Sequence, residues 1–253
     1  MLRSTEELIG YKLVGTDDEL GKVKDLLFDD RHWVIRYLVA DTGGWLSENK
    51  VIIPPIVVGE PRAAERVLPV ALSKAQIEGA PSLEKNAPVS RRYERIWHQH
   101  FERPVYWEAV GPTGMPFVAS AQPLTPADRE QARDRAVEDG ETTHLRSVDE
   151  VTGYDIVARD GAIGHVEEFV YEDQQWILRY MVVDTRNWLP GRKVLISPEW
   201  IGGFDWPEET VSVSLTREQI ENSPQYNPNY PVNRRYETRL YDYYGRPHYW
   251  SDE

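Results

Sequence analysis

Residues 2–107 and 145–250 of this chain are two copies of one sequence, in register at a constant offset of 143 with no gap. Of the 106 aligned pairs, 42 are identical. They include Gly10-Tyr11 with Gly153-Tyr154, Arg36-Tyr37 with Arg179-Tyr180, and Arg91-Arg92-Tyr93-Glu94 with Arg234-Arg235-Tyr236-Glu237. Chance does not produce such an alignment. The period lies far above the ~20–50 residues of a solenoid repeat, and each unit is large enough for its own core. The expected organisation is a first domain at 1–107, a linker at 108–144 and a second domain at 145–253.

One copy can be read for both. Ser4-x-x-Glu7 and Ser147-x-x-Glu150 open the copies with a capping-box pattern. Strands are expected at 8–14, 22–28, 34–40 and 50–53, with shorter ones near 57–58 and 67–70. The run from Val34 to Ala40 and its counterpart from Ile177 to Val183 are apolar and rich in β-branched residues. About six short strands per copy point to a small barrel, which removes exposed sheet edges by closing on itself. Each copy then turns helical. Ser73-x-x-Gln76 and Thr216-x-x-Gln219 cap one short helix, stopped by Pro81 and Pro224, and a second helix follows Pro88 and Pro231. In that second helix Tyr93, Trp97 and Phe101 share a face, as do Tyr236, Leu240 and Tyr244, and the face is expected to lie on its own barrel. The fold class is therefore mainly β: two small barrels, each followed by a short helical arm. In the linker, Thr125-Pro126 opens a mostly polar pattern that reads as an exposed helix.

Composition narrows the function classes. No apolar run approaches the ~18 residues of a membrane helix, and the N-terminus lacks a signal-peptide pattern. The absence of cysteine removes disulfides, thiol nucleophiles and cysteine-ligated metals, and fits a cytoplasmic protein. The net charge of −13 is uneven: the first copy carries 15 basic and 16 acidic side chains, the second 11 and 17. Neither provides the basic field that drives phosphate binding, so nucleic acid is not the expected partner.

The opening Leu-Arg-Ser-x-x-Glu-x-x-Gly-Tyr, a glycine in the first hairpin, an apolar strand ending in Asp-Thr, and the lysine-led strand from Lys50 to Ile53 resemble the PRC-barrel family. This is the small β-barrel of the photosynthetic reaction-centre H subunit and of the ribosome-maturation factor RimM. The resemblance covers roughly residues 3–72 and 146–215. The segments from Leu72 to Trp107 and from Leu215 to Trp250 look like the helical extension of bacterial tandem PRC-barrel proteins. The resemblance implies docking onto larger assemblies. The H subunit's membrane helix and RimM's other domain have no counterpart here, and the proton pathway of the H subunit is not carried over.

No catalytic constellation, metal-ligand set or cofactor motif is present. Among six histidines only His98 and His100 are close, and i, i+2 spacing sends them to different sides of a helix. Asp41 and Asp184 end a strand, where such side chains bond nearby backbone amides. Two features are candidates for partner binding. In Arg91-Arg92-Tyr93-Glu94 and Arg234-Arg235-Tyr236-Glu237, the arginines either dock a partner or pair with an acid at the helix–barrel seam. Trp45-Leu46 and Trp188-Leu189 follow turns, and each tryptophan either anchors a partner or plugs a barrel end. The expected function is a non-enzymatic soluble adaptor that uses two barrels for protein–protein interaction, with small-molecule binding in a barrel mouth or between the repeats as the alternative. Peripheral association with a membrane complex, a homodimer, and a pseudo-dimer made from one chain all stay open.

Overall fold

In the first copy, β1 (Leu2–Ser4) runs into a single helical turn, α1 (Thr5–Leu8), because Ser4 accepts the Glu6 amide. Then come β2 (Lys12–Val14), β3 (Glu19–Asp29), β4 (Val34–Asp41), β5 (Val51–Ile53), β6 (Val67–Pro69), α2 (Lys74–Glu78) and α3 (Arg91–His100). The second copy repeats this with β7 (Leu145–Ser147), α4 (Val148–Val151), β8 (Asp155–Ala158), β9 (Gly161–Glu172), β10 (Ile177–Asp184) and β11 (Lys193–Ile196). It continues with β12 (Ile201–Asp205), β13 (Thr210–Val213), α5 (Arg217–Glu221) and α6 (Arg234–Tyr244). This is a computed structural model, and it describes residues 1–46, 51–81, 89–103, 144–185 and 192–250. Linker residues 108–143, with the expected helix, and Tyr106-Trp107 and Trp188-Leu189 lie outside the described residues.

Three local expectations change. The strand expected over 8–14 starts at Lys12, since Leu8 closes the serine-capped turn α1, and Val151 closes α4 in the same way in the second copy. The strand expected near 57–58 is a 3-10 turn at Pro55–Val57, where proline opens the turn. The copies also part at β12. Its first-copy equivalent carries Pro61 where the second has Phe204, and a proline cannot donate to a ladder. Only isolated bridges, Val58 with Val70 and Arg62 with Val67, survive there. Elsewhere the copies obey the same constraints. Gly21 and Gly164 have φ of +128° and +144°, and a Cβ on either would sit 2.1 or 2.0 Å from the carbonyl oxygen of Asp41 or Asp184. Asp17 and Asp160, in the first hairpin turns, accept the backbone amides of Lys74 and Arg217, tying each hairpin to the first turn of α2 or α5. Both short helices carry complete capping boxes, Ser73 with Gln76 and Thr216 with Gln219.

The two copies do not close separately. β1 pairs antiparallel with β9, with Leu2 opposite Glu172. β7 pairs in the same way with β3, with Leu145 opposite Asp29. Each copy has thus handed its first strand to the other. The hairpin tips also meet: Val34 of β4 stands opposite Ile177 of β10, Ile35 donates to the Trp176 carbonyl at 2.8 Å, and Leu178 donates to that of Trp33 at 2.7 Å. The result is one curled sheet of thirteen strands, whose main path is β12-β13-β8-β9-β10-β4-β3-β2-β6. One buried cluster runs through both copies, from Leu8 and Leu13 to Leu240 and Tyr241. The expected pair of separately closed barrels gives way to this joined, half-barrel arrangement. The reason lies in strand length. β8 covers β9 only from Gly161 to His165, which leaves Val170, Tyr171 and Glu172 with an open edge that β1 fills.

The helical arm behaves as the pattern of α3 requires. Tyr93 and Trp97 are buried, Phe101 is half-buried, and they pack on Leu27, Tyr37, Val39 and Ile52 of their own copy. Leu145 of the other copy joins this cluster. β3 and β4 therefore bury side chains on both faces over residues 26–28 and 37–40, which accounts for the continuous apolar runs there.

Candidate functional site

The repeated Arg-Arg-Tyr-Glu motif opens α3 and α6, capped by Ser90 and Asn233. The tyrosine and glutamate of each motif face inward, and the first arginine is half-buried in Arg91 but exposed in Arg234. Tyr93 and Tyr236 donate to the carbonyls of Pro81 and Pro224 at 2.9 Å, fixing the start of the arm against the chain that leads into it. Glu94 and Glu237 reach the strands: Tyr37 donates to Glu94 at 2.9 Å and Tyr180 to Glu237 at 2.8 Å. The first arginine of each motif pairs with that glutamate, Arg91 at 3.3 Å and Arg234 at 3.2 Å. Buried carboxylates need such partners. In the second copy Tyr249 adds another hydroxyl to Glu237 at 2.8 Å, and Arg234 lies over the Trp250 ring at 4.1 Å. Burial first, and the nearby Glu237 carboxylate second, push the Tyr249 hydroxyl up to about 12 and Tyr180 higher still, so both remain proton donors. The copies diverge one turn on. His98 is buried and its Nε2 lies 3.0 Å from the Tyr37 hydroxyl, whereas the equivalent Tyr241 donates to Ser197 at 3.2 Å. His100 is exposed, on the other side of α3.

The second arginine of each motif, Arg92 or Arg235, is exposed. The motif thus splits into a paired part, formed by Arg91, Tyr93 and Glu94 with their counterparts, and an exposed second arginine on each arm. Trp45 folds back onto its own copy. It is half-buried, its indole N–H donates to the Leu20 carbonyl at 3.3 Å, and the Lys74 ammonium lies 4.9 Å from the ring centroid. Leu46 packs beside it against the core. Asp41 accepts the Gly43 amide at 3.1 Å. Leu46 lines a small cavity together with Tyr93, Trp97 and Phe101 of the arm, whereas Arg92 is exposed.

Sequence reasoning missed the seam between the copies. Ser147 donates to Asp25 at 2.6 Å, and the Asp149 amide donates to the same carboxylate at 3.1 Å. The equivalent pair is Ser4 with Glu168. Burial pushes the Asp25 and Glu168 carboxyls above their ordinary values, partly offset by these serines. Outside them sit ion pairs, Arg3 with Asp173 at 2.8 Å and Arg146 with Asp30 at 3.0 Å. The serines read as caps and the acids as ordinary strand residues. The available signal was an acid at both 25 and 168, the same position of the repeated strand.

Two open grooves lie on the first copy. One, of about 420 Å³, runs past Ile56, Val57, Val58 and Val70. The other, of about 300 Å³, lies between α2 and the end of α3, beside Leu72, Gln76, His100, Phe101 and Arg103. Among the described residues no helix is long and apolar enough to cross a membrane, and no group of three His, Asp or Glu is placed to hold a metal ion. Residues 3–76 match the PRC-barrel domain. No curated protein matches the chain.

Proposed function

We propose that this chain, with a PRC-barrel match over residues 3–76, is a non-enzymatic adaptor built from two PRC-type halves. The second half is assigned to the same type by the internal repeat and by an order of elements that matches the first in all but β12. The observation that supports the adaptor reading is the strand exchange. It joins two near-identical scaffolds through one core while their exposed positions differ, so two dissimilar surfaces are held in one geometry. Holding two modules at a fixed span raises avidity without new contacts. The absence of cysteine from the chain supports a cytoplasmic setting.

Capture with the intact chain from a native lysate, followed by native mass measurement, tests this reading. The expected result is a protein partner bound at defined stoichiometry. Failure to hold any partner, with a heat-stable small molecule recovered from the purified protein, overturns it in favour of ligand binding. The observation favouring that second reading is the 420 Å³ groove beside Ile56 and Val57. In that case Ile56→Asp weakens retention of the small molecule.

A further inference from the structure

The outward faces of the two arms are basic on a chain whose net charge is −13. On the first arm Arg92 and Arg103 are exposed and Arg95 is half-buried, while the exposed acid among residues 91–103 is Glu102. On the second, Arg235, Arg239 and Arg246 are exposed, with Asp242 as the exposed acid. Asp242 is itself bonded to His248 at 3.0 Å. The inner glutamates, Glu94 and Glu237, are buried and paired with Arg91 and Arg234, so they do not offset the outer charge. Among the described residues no carboxylate forms an ion pair with Arg92, Arg95, Arg103, Arg235 or Arg246.

The repeat adds an independent argument. Two of the three positions keep arginine, at 92 with 235 and at 103 with 246. The third does not: Arg95 aligns with Thr238, and the adjacent Ile96 aligns with Arg239. The charge has moved by one residue and has not been lost. A fixed hydrogen bond would not survive that shift, whereas a local field would. At the end of α3, His100, Phe101, Glu102 and Arg103 border the 300 Å³ groove, where Leu72 and Phe101 lie beside the Arg103 cation.

We infer that the outward faces of α3 and α6 are docking sites for short acidic protein segments, one on each arm. This rests on the adaptor reading and names the partner's chemistry. A short segment fits better than an extended polyanion. Charges farther than roughly 8 Å apart are screened at physiological salt, so a short acidic segment meets only the basic face. Duplex DNA or an anionic bilayer extends past it and meets the acidic remainder of the molecule.

The test uses the full chain and a fluorescein-labelled, glutamate-rich peptide of about fifteen residues carrying two leucines, a length that spans the arm face. Anisotropy is read at low and at physiological salt. Three variants are compared with the wild type: R92E/R95E/R103E, R235E/R239E/R246E, and the combination of all six. A control reverses exposed Lys22, Arg31 and Arg62 to glutamate. The expected result is two peptides bound per chain, one in each single-arm variant, and affinity weakened by roughly tenfold or more in the combination. The control binds as the wild type does, and all variants keep the wild-type melting temperature within a few degrees. Equal loss in the control, or unchanged binding in the combination, overturns the inference. So does tighter, arm-dependent binding to duplex DNA or to phosphatidylserine vesicles. If the lysate partner is still captured by the six-fold variant, the adaptor reading stands and this inference fails. If the wild type captures nothing yet binds the peptide at the arms, the opposite holds.

Discussion

Glu237 accepts two phenol hydroxyls, from Tyr180 and Tyr249, and pairs with Arg234. At 2 % exposure it depends on all three. Removing one hydroxyl leaves the other, so Tyr180→Phe or Tyr249→Phe alone is expected to cost about 1 kcal/mol. The double variant leaves a buried carboxylate with the arginine alone, and its cost should exceed the sum by about 1 kcal/mol or more. Urea unfolding of the four proteins checks this, and strict additivity would show that the tyrosines act separately. Gly21 and Gly164 make a sharper case. Alanine at either would press its Cβ against a backbone oxygen at a positive φ, and backbone cannot swing aside. Gly21→Ala and Gly164→Ala should each cost about 3 kcal/mol or more, seen as a fall in melting temperature. At this scale the sequence was informative about type and silent about partner. The repetition of Arg-Arg-Tyr-Glu marked it as significant, but its glutamate is satisfied by a tyrosine 57 residues away. No local pattern encodes that distance.

The exchanged strands are short, and side chains at their ends hold them. On the β1 side, Thr5 both donates to the Phe169 carbonyl and accepts the Phe169 amide, each at 3.1 Å. On the β7 side the equivalent residue is Val148, and Asp25 accepts the Ser147 hydroxyl and the Asp149 amide instead. The seam carries a pH signature of two opposed kinds. Asp25 and Glu168 have folded pKa values raised above 3.8 and 4.5 by burial, so the folded state takes up protons more readily than the unfolded one there. Their effect is to add stability as pH falls through those raised values, until the ordinary values are reached. Asp173 is the reverse. Burial would raise its pKa, but the N-terminal ammonium and Arg3 outweigh that and lower it, so its contribution is present above 3.8 and lost as pH falls toward its lower folded value. Melting temperature should therefore rise on mild acidification and drop at stronger acid. The Asp25→Asn, Glu168→Gln protein should lack the rise and keep the drop. An unaltered rise in that variant would place its origin elsewhere. The elements themselves were largely legible: long strands, capping boxes and the aromatic face of α3 all follow from periodicity and caps. The turns α1 and α4 follow from Ser4-x-x-Glu7 and Ser147-x-x-Glu150, whereas the three-residue strands β1 and β7 before them are too short to show a period.

Across the whole molecule, the exchange predicts that the halves unfold together and stay together when cut. A protease site introduced at residue 120, between the described parts of the two copies, should give fragments that remain associated on gel filtration under native conditions. They should separate only in denaturant, because β1 with β9, β3 with β7 and the core shared by the copies do not depend on an unbroken chain. Fragments that part in native buffer would show that the contacts between copies are too weak to define the fold. The amino-acid sequence by itself determined that there are two copies, that each is mostly strand with a helical arm, and that both obey the same turn and cap rules. These are matters of identity, period and local propensity, which act over a few residues. Only the tertiary structure decided that the copies share one sheet and one core. Backbone hydrogen bonds are chemically alike in every strand, so β1 meets the edge of its own copy and that of the other on equal terms. The choice falls to which open edge lies within reach once the long strands have paired, and that is geometry no single segment contains.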